Sequence, residues 1–206
     1  MEAAQGTSTT DLGRRRIPAT QRREELVEAA VHEFARGGLN GTAVAQVARR
    51  VGVAQPYVFT LFPGKVDLFL AAVERGFLRV GEAFTEAADA FDPATAEADC
   101  DVLKAMGEAY KHLLEAEPDL LMLHLQSYAA CGEERIRLRV RELYGGLYKL
   151  VAELSGAPPE RLDEFFRYGM WCNVAAAMGL GQAAPSEAWE GDIPLALRDA
   201  EPITPG

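Results

Sequence analysis

Four neighbouring side chains suited to hydrogen bonding and flat apolar contact stand together in the chain: Gln55, Pro56, Tyr57 and Thr60. The carboxamide of Gln55 offers a donor and an acceptor in one plane, which matches the edge of an adenine base. The Tyr57 ring and Pro56 can contact a thymine methyl group. We therefore expect this segment to read base edges, provided that the surrounding elements present it to a DNA groove.

The elements that must position these residues are two short helices joined by a tight turn, between Thr42 and Lys65. The first helix repeats apolar residues at i, i+3, i+4 and i+7, which gives it one buried face: Val44, Val47, Ala48 and Val51. Thr42 stands where its hydroxyl can cap the first backbone N–H groups. Gly52 follows the last apolar residue and tolerates the left-handed geometry of a helix end.

The second helix is predicted to open at Gln55, with Pro56 in its first turn, where a missing N–H costs nothing. Val58, Phe59 and Phe62 are predicted to form its inward face, with both phenylalanines serving mainly in packing. Two short helices in this order are typical of a helix-turn-helix, whose second helix enters the DNA major groove.

Residues 20–65 resemble the N-terminal domain of the tetracycline-repressor (TetR) family of transcription regulators. The matching residues are Leu26, Ala29, Ala30, Phe34, Gly38, Thr42, Val47, Ala48, Gly52, Val53, Phe59, Phe62 and Lys65. At Phe59 the family usually has a tyrosine, and a phenyl ring cannot donate a hydrogen bond to a phosphate. Beyond Lys65 the likeness is only architectural.

The resemblance implies a homodimer that binds a palindromic double-stranded operator and represses transcription until a small effector releases it. Base contacts are expected from residues 55–57 and Thr60, with Ala43 and Gln46 also facing DNA, and phosphate contacts from Thr42, Lys65 and the helix N-termini. Arg14, Arg15 and Arg16 can form a minor-groove arm or a plain solvated cluster. Weaker candidates for phosphate contacts are Arg22, Arg23, Arg49 and Arg50, and for Arg49 and Arg50 a plain solvated helix face is the alternative.

The distribution of charge supports a separate DNA-binding segment. The chain has 206 residues and a net charge of -10, which by itself argues against a nucleic-acid ligand. Residues 1–65, however, carry nine Lys/Arg against six Asp/Glu, whereas residues 66–206 carry 12 against 25. A basic head on an acidic body is what a DNA-binding protein with a separate sensing or assembly domain requires.

Several function classes find no support in the sequence. The three cysteines, Cys100, Cys131 and Cys172, are odd in number and far apart, which indicates a reducing, cytoplasmic compartment rather than a disulfide framework. No phosphate-binding loop, metal-spaced His/Cys set or catalytic-triad motif is present, so we expect no enzyme activity, metal or cofactor. Residues 168–186 are uncharged, but their polar residues and glycines favour a buried helix over a membrane span. The N-terminus has no apolar signal segment.

Helical periodicity dominates the whole chain and predicts an all-α fold. We expect a flexible basic arm at 1–18, the DNA-binding domain at 19–66, a helical effector-binding and dimerisation domain at 67–182, and a loose tail at 183–206. The predicted helices outside the helix-turn-helix are 20–36, 65–91, 98–115, 118–130, 133–154 and 160–180. Alternating arginines at 135–141 resemble a strand, but the helical spacing that continues to Leu154 favours a helix.

The body is expected to hold an apolar or aromatic effector. Candidate pocket residues are aromatic or flexible with a few polar tips: Phe77, Phe84, Met106, Tyr110, His124, Gln126, Tyr128 and Trp171. The simpler interpretation of His124 is a core histidine with satisfied hydrogen bonds. Two alternatives remain, a redox switch through a cysteine and a regulator without a small-molecule ligand.

The last two long helices are the expected dimer elements, because palindromic operators require a two-fold symmetric protein. A stripe of small residues on the last helix would let two helices approach closely. The predicted dimer residues are Phe165, Phe166, Gly169, Met170, Asn173, Ala176, Ala177 and Leu180. Packing of the same stripe within one chain is the alternative.

Overall fold

The computed structural model of the protein describes residues 18–96 and 100–179, and every regular element within them is helical. The all-α prediction is therefore confirmed. The elements are α1 (Ala19–Gly41), α2 (Val44–Val51), α3 (Gln55–Leu61), α4 (Lys65–Ala90), α5 (Val102–Ala116), α6 (Pro118–Ala129), a 3-10 turn (Ala130–Gly132), α7 (Glu134–Ser155) and α8 (Pro159–Ala177).

Helix ends follow local chemistry closely. Gly52 ends α2 with a φ of 72°, in the left-handed region, as predicted. The predicted stop of the first helix at Gly37-Gly38 is instead a kink: Gly38 has a φ of 61° and a further helical turn runs to Gly41. Helix α5 begins at Val102 rather than at Ala98, because the Asp101 carboxylate caps it by accepting from the Lys104 N–H at 2.9 Å.

Two apolar clusters meet along the long helix α4. The first joins α1, α2 and α3 to the N-terminal half of α4 and also includes Leu123, Ile136 and Val140 from the body. The second joins the C-terminal half of α4 to α5, α7 and α8. The apolar core therefore continues across the predicted domain boundary at residue 66. Helix α4 and its neighbours connect the two predicted domains through this core.

Helix α6 lies between the head and the body, and α1 packs against it more extensively than against any other helix. Near its start the Asp119 carboxylate lies 2.5 Å from Nδ1 of His32 on α1. One turn before its end, Gln126 lies beside Gly38. One polar contact and one packing contact therefore join α6 to the helix that supports the DNA head.

Contacts with α4 explain the alternating arginines in the first half of α7. Arg135 pairs with Asp67 and Arg139 donates to Glu74 at 2.8 Å, so two arginines one turn apart bind acidic residues of α4. The Arg135 guanidinium lowers the pKa of the Asp67 carboxyl through their hydrogen bond. A helix places such i, i+4 residues on one face, and the helix prediction is confirmed.

Within the described ranges, no single helix is both long and apolar enough to cross a membrane, and only α3 and α4 taken together, across a 68° bend, meet those criteria.

Candidate nucleic-acid interface and effector cavity

The outward face of α3 is free of the core. Val58 is fully buried against the helices beneath, whereas Gln55, Pro56, Tyr57 and Thr60 are all exposed. The Thr60 hydroxyl donates to the Tyr57 carbonyl at 2.7 Å, which leaves its lone pairs directed outward from the last turn. The predicted base-reading residues therefore share one solvent-facing surface on a helix that is anchored from below.

Phe59 belongs to this outward surface, which corrects the prediction that it packs inward. Its side chain is 43% exposed, whereas Phe62 is 2% exposed and stacks under the guanidinium of Arg23, 4.6 Å from the ring centroid. Four residues separate Phe59 from Gln55, about one helical turn, so both lie on the same side. An exposed phenylalanine gives this surface an apolar patch beside its polar groups.

The predicted helix cap at Thr42 is wrong. Thr42 is 2% exposed, and its hydroxyl donates to the Glu33 carbonyl of α1 at 3.0 Å. The N-cap residue of α2 is Ala43, whose N–H donates to the Gln46 side-chain oxygen at 2.6 Å. The Thr42 hydroxyl is thus used inside the head and does not face a phosphate in this geometry, whereas Ala43 and Gln46 are exposed, as their predicted role requires.

The Lys and Arg side chains of the DNA head differ in whether a group of the same chain already binds them. Lys65 starts α4, and its Nζ lies 3.4 Å from the Asn40 carbonyl, next to the exposed start of α2. Arg50 donates to Glu33 at 2.8 Å and Arg22 pairs with Glu25 at 2.6 Å. Arg49 makes no ion pair within the described ranges. The predicted arm at Arg14, Arg15 and Arg16 lies outside the described residues.

A narrow cavity opens in the body between α4, α5, α6, α7 and α8. The cavity is small, with a volume of about 50 Å³. Its walls are almost wholly apolar and aromatic. They comprise Phe77, Val80, Phe84, Gly107, Tyr110, His124, Tyr128, Tyr144, Leu147, Phe165, Phe166, Tyr168, Gly169, Met170, Cys172 and Asn173.

Five of the eight predicted pocket residues line this cavity: Phe77, Phe84, Tyr110, His124 and Tyr128. The other three do not. Met106 is fully buried in the second core cluster, Gln126 lies against Gly38, and Trp171 lines a separate surface cleft with Arg161 and Tyr168. Helical periodicity could not separate cavity walls from core, because both are apolar faces of the same helices.

Most of the predicted dimer residues on α8 line this cavity. Asn173 is 3% exposed and accepts a hydrogen bond from the Tyr110 hydroxyl at 2.6 Å. Phe165 packs on Phe84 with ring centroids 5.5 Å apart, and Phe166 stacks on Tyr148 at 5.1 Å. These side chains therefore make contacts within one chain, and Gly169 and Met170 join the same lining.

Farther along α8 the helix emerges from the core. Ala177 is exposed, as are the unpredicted Val174 and Met178, at 41% and 54%. Ala176 is half-buried, and Leu180 lies outside the described residues. An apolar surface is thus available at the end of α8, one to two turns beyond the cavity.

His124 contradicts the expectation of a satisfied core histidine. It is 3% exposed, and neither ring nitrogen has a hydrogen-bond partner among the residues that the structure describes. Burial lowers the pKa of the imidazole to about 4, so the ring is neutral near pH 7. Burial also raises the pKa of the Tyr110 and Tyr128 phenols, which keeps these hydroxyls protonated.

The three cysteines, Cys100, Cys131 and Cys172, are free thiols of intermediate burial, and burial raises the pKa of Cys172. A raised thiol pKa disfavours the reactive thiolate. Among the described residues, no three His, Cys, Asp or Glu side chains are grouped as a metal site requires.

The helix-turn-helix region matches a known protein family. Residues 26–72, from α1 through the first turns of α4, match the model of the tetR family of bacterial regulatory proteins. This segment is therefore similar to the domain that the model describes. The match covers the elements that present the outward face of α3.

Among related sequences, the chain is 33% identical over 60 residues to the HTH-type transcriptional activator FasR of Mycolicibacterium smegmatis. The match covers 29% of the chain and spans 27% of the length of that relative. It therefore relates one segment of the two proteins rather than the whole of either.

Two solved structures share the architecture of most of the chain. The fatty acid degradation regulator FadR from Bacillus halodurans superposes with a TM-score of 0.64 at 16% identity, covering 80% of this chain and 88% of that one. FadR from Bacillus subtilis, in complex with stearoyl-CoA, gives a TM-score of 0.62 at 16% identity, covering 76% and 88%. Likeness at this level of identity establishes the fold alone.

Proposed function

We propose that the protein is a sequence-specific DNA-binding repressor that acts as a homodimer on a palindromic operator and is released by a small, largely apolar effector. The observation that carries the proposal is the outward face of α3. Gln55, Tyr57 and Thr60 are exposed there while Val58, on the opposite side, anchors the helix in the core. A rigid helix with polar and aromatic groups on its free face suits the major groove.

The exposure of α3 and the position of Lys65 support the following contacts. Gln55 and Tyr57, at the N-terminal end of α3, read base edges, as recognition helices use their first residues for this purpose. Lys65 and the exposed starts of α2 and α3 bind phosphate and fix the register. Phosphate contacts supply affinity in every sequence, whereas Gln55 supplies preference at one base pair.

The cavity is the proposed effector site. Its apolar walls favour an apolar ligand, and the B. subtilis neighbour that was solved with stearoyl-CoA makes such a ligand plausible for this fold. Because the cavity is small, an effector must displace α6 or α8 to enter. Displacement of α6 would move α1 through the His32–Asp119 and Gly38–Gln126 contacts, and so change the placement of the head.

Release then requires only a difference in affinity. The effector must bind the DNA-incompetent arrangement more tightly than the competent one, and coupling of this kind is typically about 1–3 kcal/mol. The long helix α4, which belongs to both core clusters, carries the remaining motion from body to head.

The exposed end of α8 is the proposed two-fold contact. Val174, Ala177 and Met178 offer apolar surface that one chain leaves uncovered. Val174→Asp should shift the protein from dimer to monomer in sedimentation equilibrium. Leu138→Asp, at an equally exposed apolar site on α7, should leave the dimer intact. An unchanged sedimentation mass for Val174→Asp would place the interface elsewhere.

The proposal is tested by selecting bound sequences from a random duplex pool at two salt concentrations. The wild type should recover a palindrome, with affinity that falls steeply as salt rises. Gln55→Ala should weaken operator binding by about 1–3 kcal/mol and relax one position in each half-site. Lys65→Ala should weaken binding to all sequences and reduce the salt slope by about one, whereas Lys149→Ala on the body serves as the control. Sequence-blind binding by the wild type would refute the proposal.

A further inference from the structure

His124 is a buried polar side chain without a partner. It lies on α6, is 3% exposed, and neither of its ring nitrogens forms a hydrogen bond within the described residues. Buried side-chain polar atoms in folded proteins are nearly always paired, and an orphan indicates a partner that binds from outside the chain.

The position of the ring shows where such a partner must come from. His124 lines the effector cavity, and its ring packs edge-on against Phe77 with centroids 4.9 Å apart. On α4, Gly76 leaves room for it, since a Cβ atom there would lie 3.3 Å from Nε2. The imidazole is therefore held in place by shape alone, although a leucine would fill the same space without burying two polar atoms.

The charge state of the ring limits what it can bind. Because burial holds the pKa of His124 near 4, the imidazole is neutral at physiological pH. A neutral imidazole offers one N–H donor and one acceptor nitrogen. This pair of functions suits an uncharged hydroxyl or carbonyl group of a ligand.

The rest of the cavity disfavours a charged ligand group. The residues that line it include no Asp, Glu, Lys or Arg, and the Tyr110 hydroxyl is already donated to Asn173. A nearby cation, Lys111, pairs with Glu108 at 2.8 Å and lies over the outer face of the Tyr168 ring. An ionised group inside the cavity would be buried without compensation.

We propose that His124 is the hydrogen-bonding anchor of the effector site, and that the effector is an uncharged, largely apolar molecule carrying a hydroxyl or carbonyl group. The inference rests on the proposed function, because it takes the cavity to be the effector site. It names the recognition residue and the chemical class of the ligand.

A pair of probes of equal chain length tests this assignment. Decan-1-ol is uncharged, whereas decanoate carries a carboxylate at pH 7.5. The wild type should bind decan-1-ol at least about tenfold more tightly than decanoate in a calorimetric titration. The His124→Leu variant should lose about tenfold in affinity for decan-1-ol, whereas His112→Leu, at an exposed histidine of α5, should bind it as the wild type does.

Nuclear magnetic resonance of the wild type tests the assignment without relying on the affinity of the His124→Leu variant. The chain contains three histidines, so the imidazole ¹⁵N resonances of the wild type can be assigned by the loss of one set in His124→Leu. Decan-1-ol should shift only the His124 resonances and leave the ring neutral. In the free protein, His124→Leu should melt at or above the wild-type temperature, because it removes an unpaired polar group.

The outcomes separate this inference from the proposed function. Unmoved His124 resonances, equal affinity of His124→Leu for decan-1-ol, or tighter binding of decanoate would each overturn the anchor assignment while operator binding and release stand. Conversely, decan-1-ol bound through His124 without any release of the operator would leave the anchor in place and refute effector control by this cavity.

Discussion

The side-chain oxygen of Gln126 lies beside Gly38. A Cβ atom on residue 38 would be only 2.5 Å from this oxygen. Gly38 also has a φ of 61° and a ψ of -173°, a conformation that is essentially restricted to glycine. The kink in α1 thus accommodates α6 at the point where the body meets the DNA head. The backbone conformation requires a glycine, and a larger residue would also displace the flexible end of the Gln126 side chain.

We expect Gly38→Ala to destabilise the protein by about 1–3 kcal/mol, because alanine strains the backbone and collides with Gln126. The free energy of unfolding in urea measures this. Gly41→Ala, where a Cβ would meet nothing within 4 Å, is the matched control and should be neutral or stabilising. In the Gly38→Ala protein, a second substitution, Gln126→Ala, should restore the stability lost to the collision but not the stability lost to backbone strain. A Gly38→Ala protein as stable as the wild type would contradict the account of the kink.

Thr42 should act in stability rather than in DNA binding. Thr42→Val removes the hydrogen bond to the Glu33 carbonyl while preserving shape, and we expect a loss of about 1 kcal/mol in unfolding free energy. Operator affinity measured on the folded variant should not change, and Thr42→Ser, which keeps the hydroxyl, should behave like the wild type in both assays. Normal stability with weakened operator binding would instead restore Thr42 as a phosphate contact.

Features governed by local chemistry were predictable from the sequence. Gly52 ends α2, Pro56 lies in the first turn of α3, and the Asp92-Pro93 step follows the end of α4, because each depends on backbone geometry within a few residues. The all-α class follows from helical periodicity in the same way.

Features governed by partners distant in sequence were not predictable. Asn173 faces the cavity because Tyr110, 63 residues earlier, donates to it. Phe59 and Phe62 are both aromatic and one turn apart, and only the tertiary placement of α3 exposes the first and buries the second. Whether His124 has a hydrogen-bond partner depends on α4 and α6 together, which no single helical pattern reveals.

The two phenylalanines of the helix-turn-helix should therefore respond in opposite ways to truncation. Phe62→Ala removes a ring that is 2% exposed and should cost about 3–5 kcal/mol of unfolding free energy. Phe59→Ala, at 43% exposure, should change stability by less than about 1 kcal/mol. It should weaken operator binding, because the ring shares the outward face of α3 with Gln55. Wild-type operator affinity in Phe59→Ala would show that this ring does not contact DNA.

His124 should also make the stability of the protein depend on pH below neutrality. Its pKa falls from 6.5 in the unfolded chain to about 4 in the folded protein, so the unfolded state binds the extra proton between these values. The contribution to stability is fully present above pH 6.5 and is lost as the pH falls towards 4. Because one proton is involved, the free energy of unfolding should fall by up to about 1.4 kcal/mol per pH unit. The total loss should approach about 3 kcal/mol.

Carboxylates also titrate in this range, so the wild type must be compared with a variant that lacks only the imidazole. Urea unfolding of His124→Leu from pH 7.5 to 4 should give a flatter curve, and the difference between the two curves should grow steadily below pH 6.5. The control variant is His112→Leu, which makes the same substitution at an exposed histidine. Parallel curves for wild type and His124→Leu would mean that the His124 ring accepts its proton in the folded protein, which an unpartnered ring in an apolar cavity cannot do without cost.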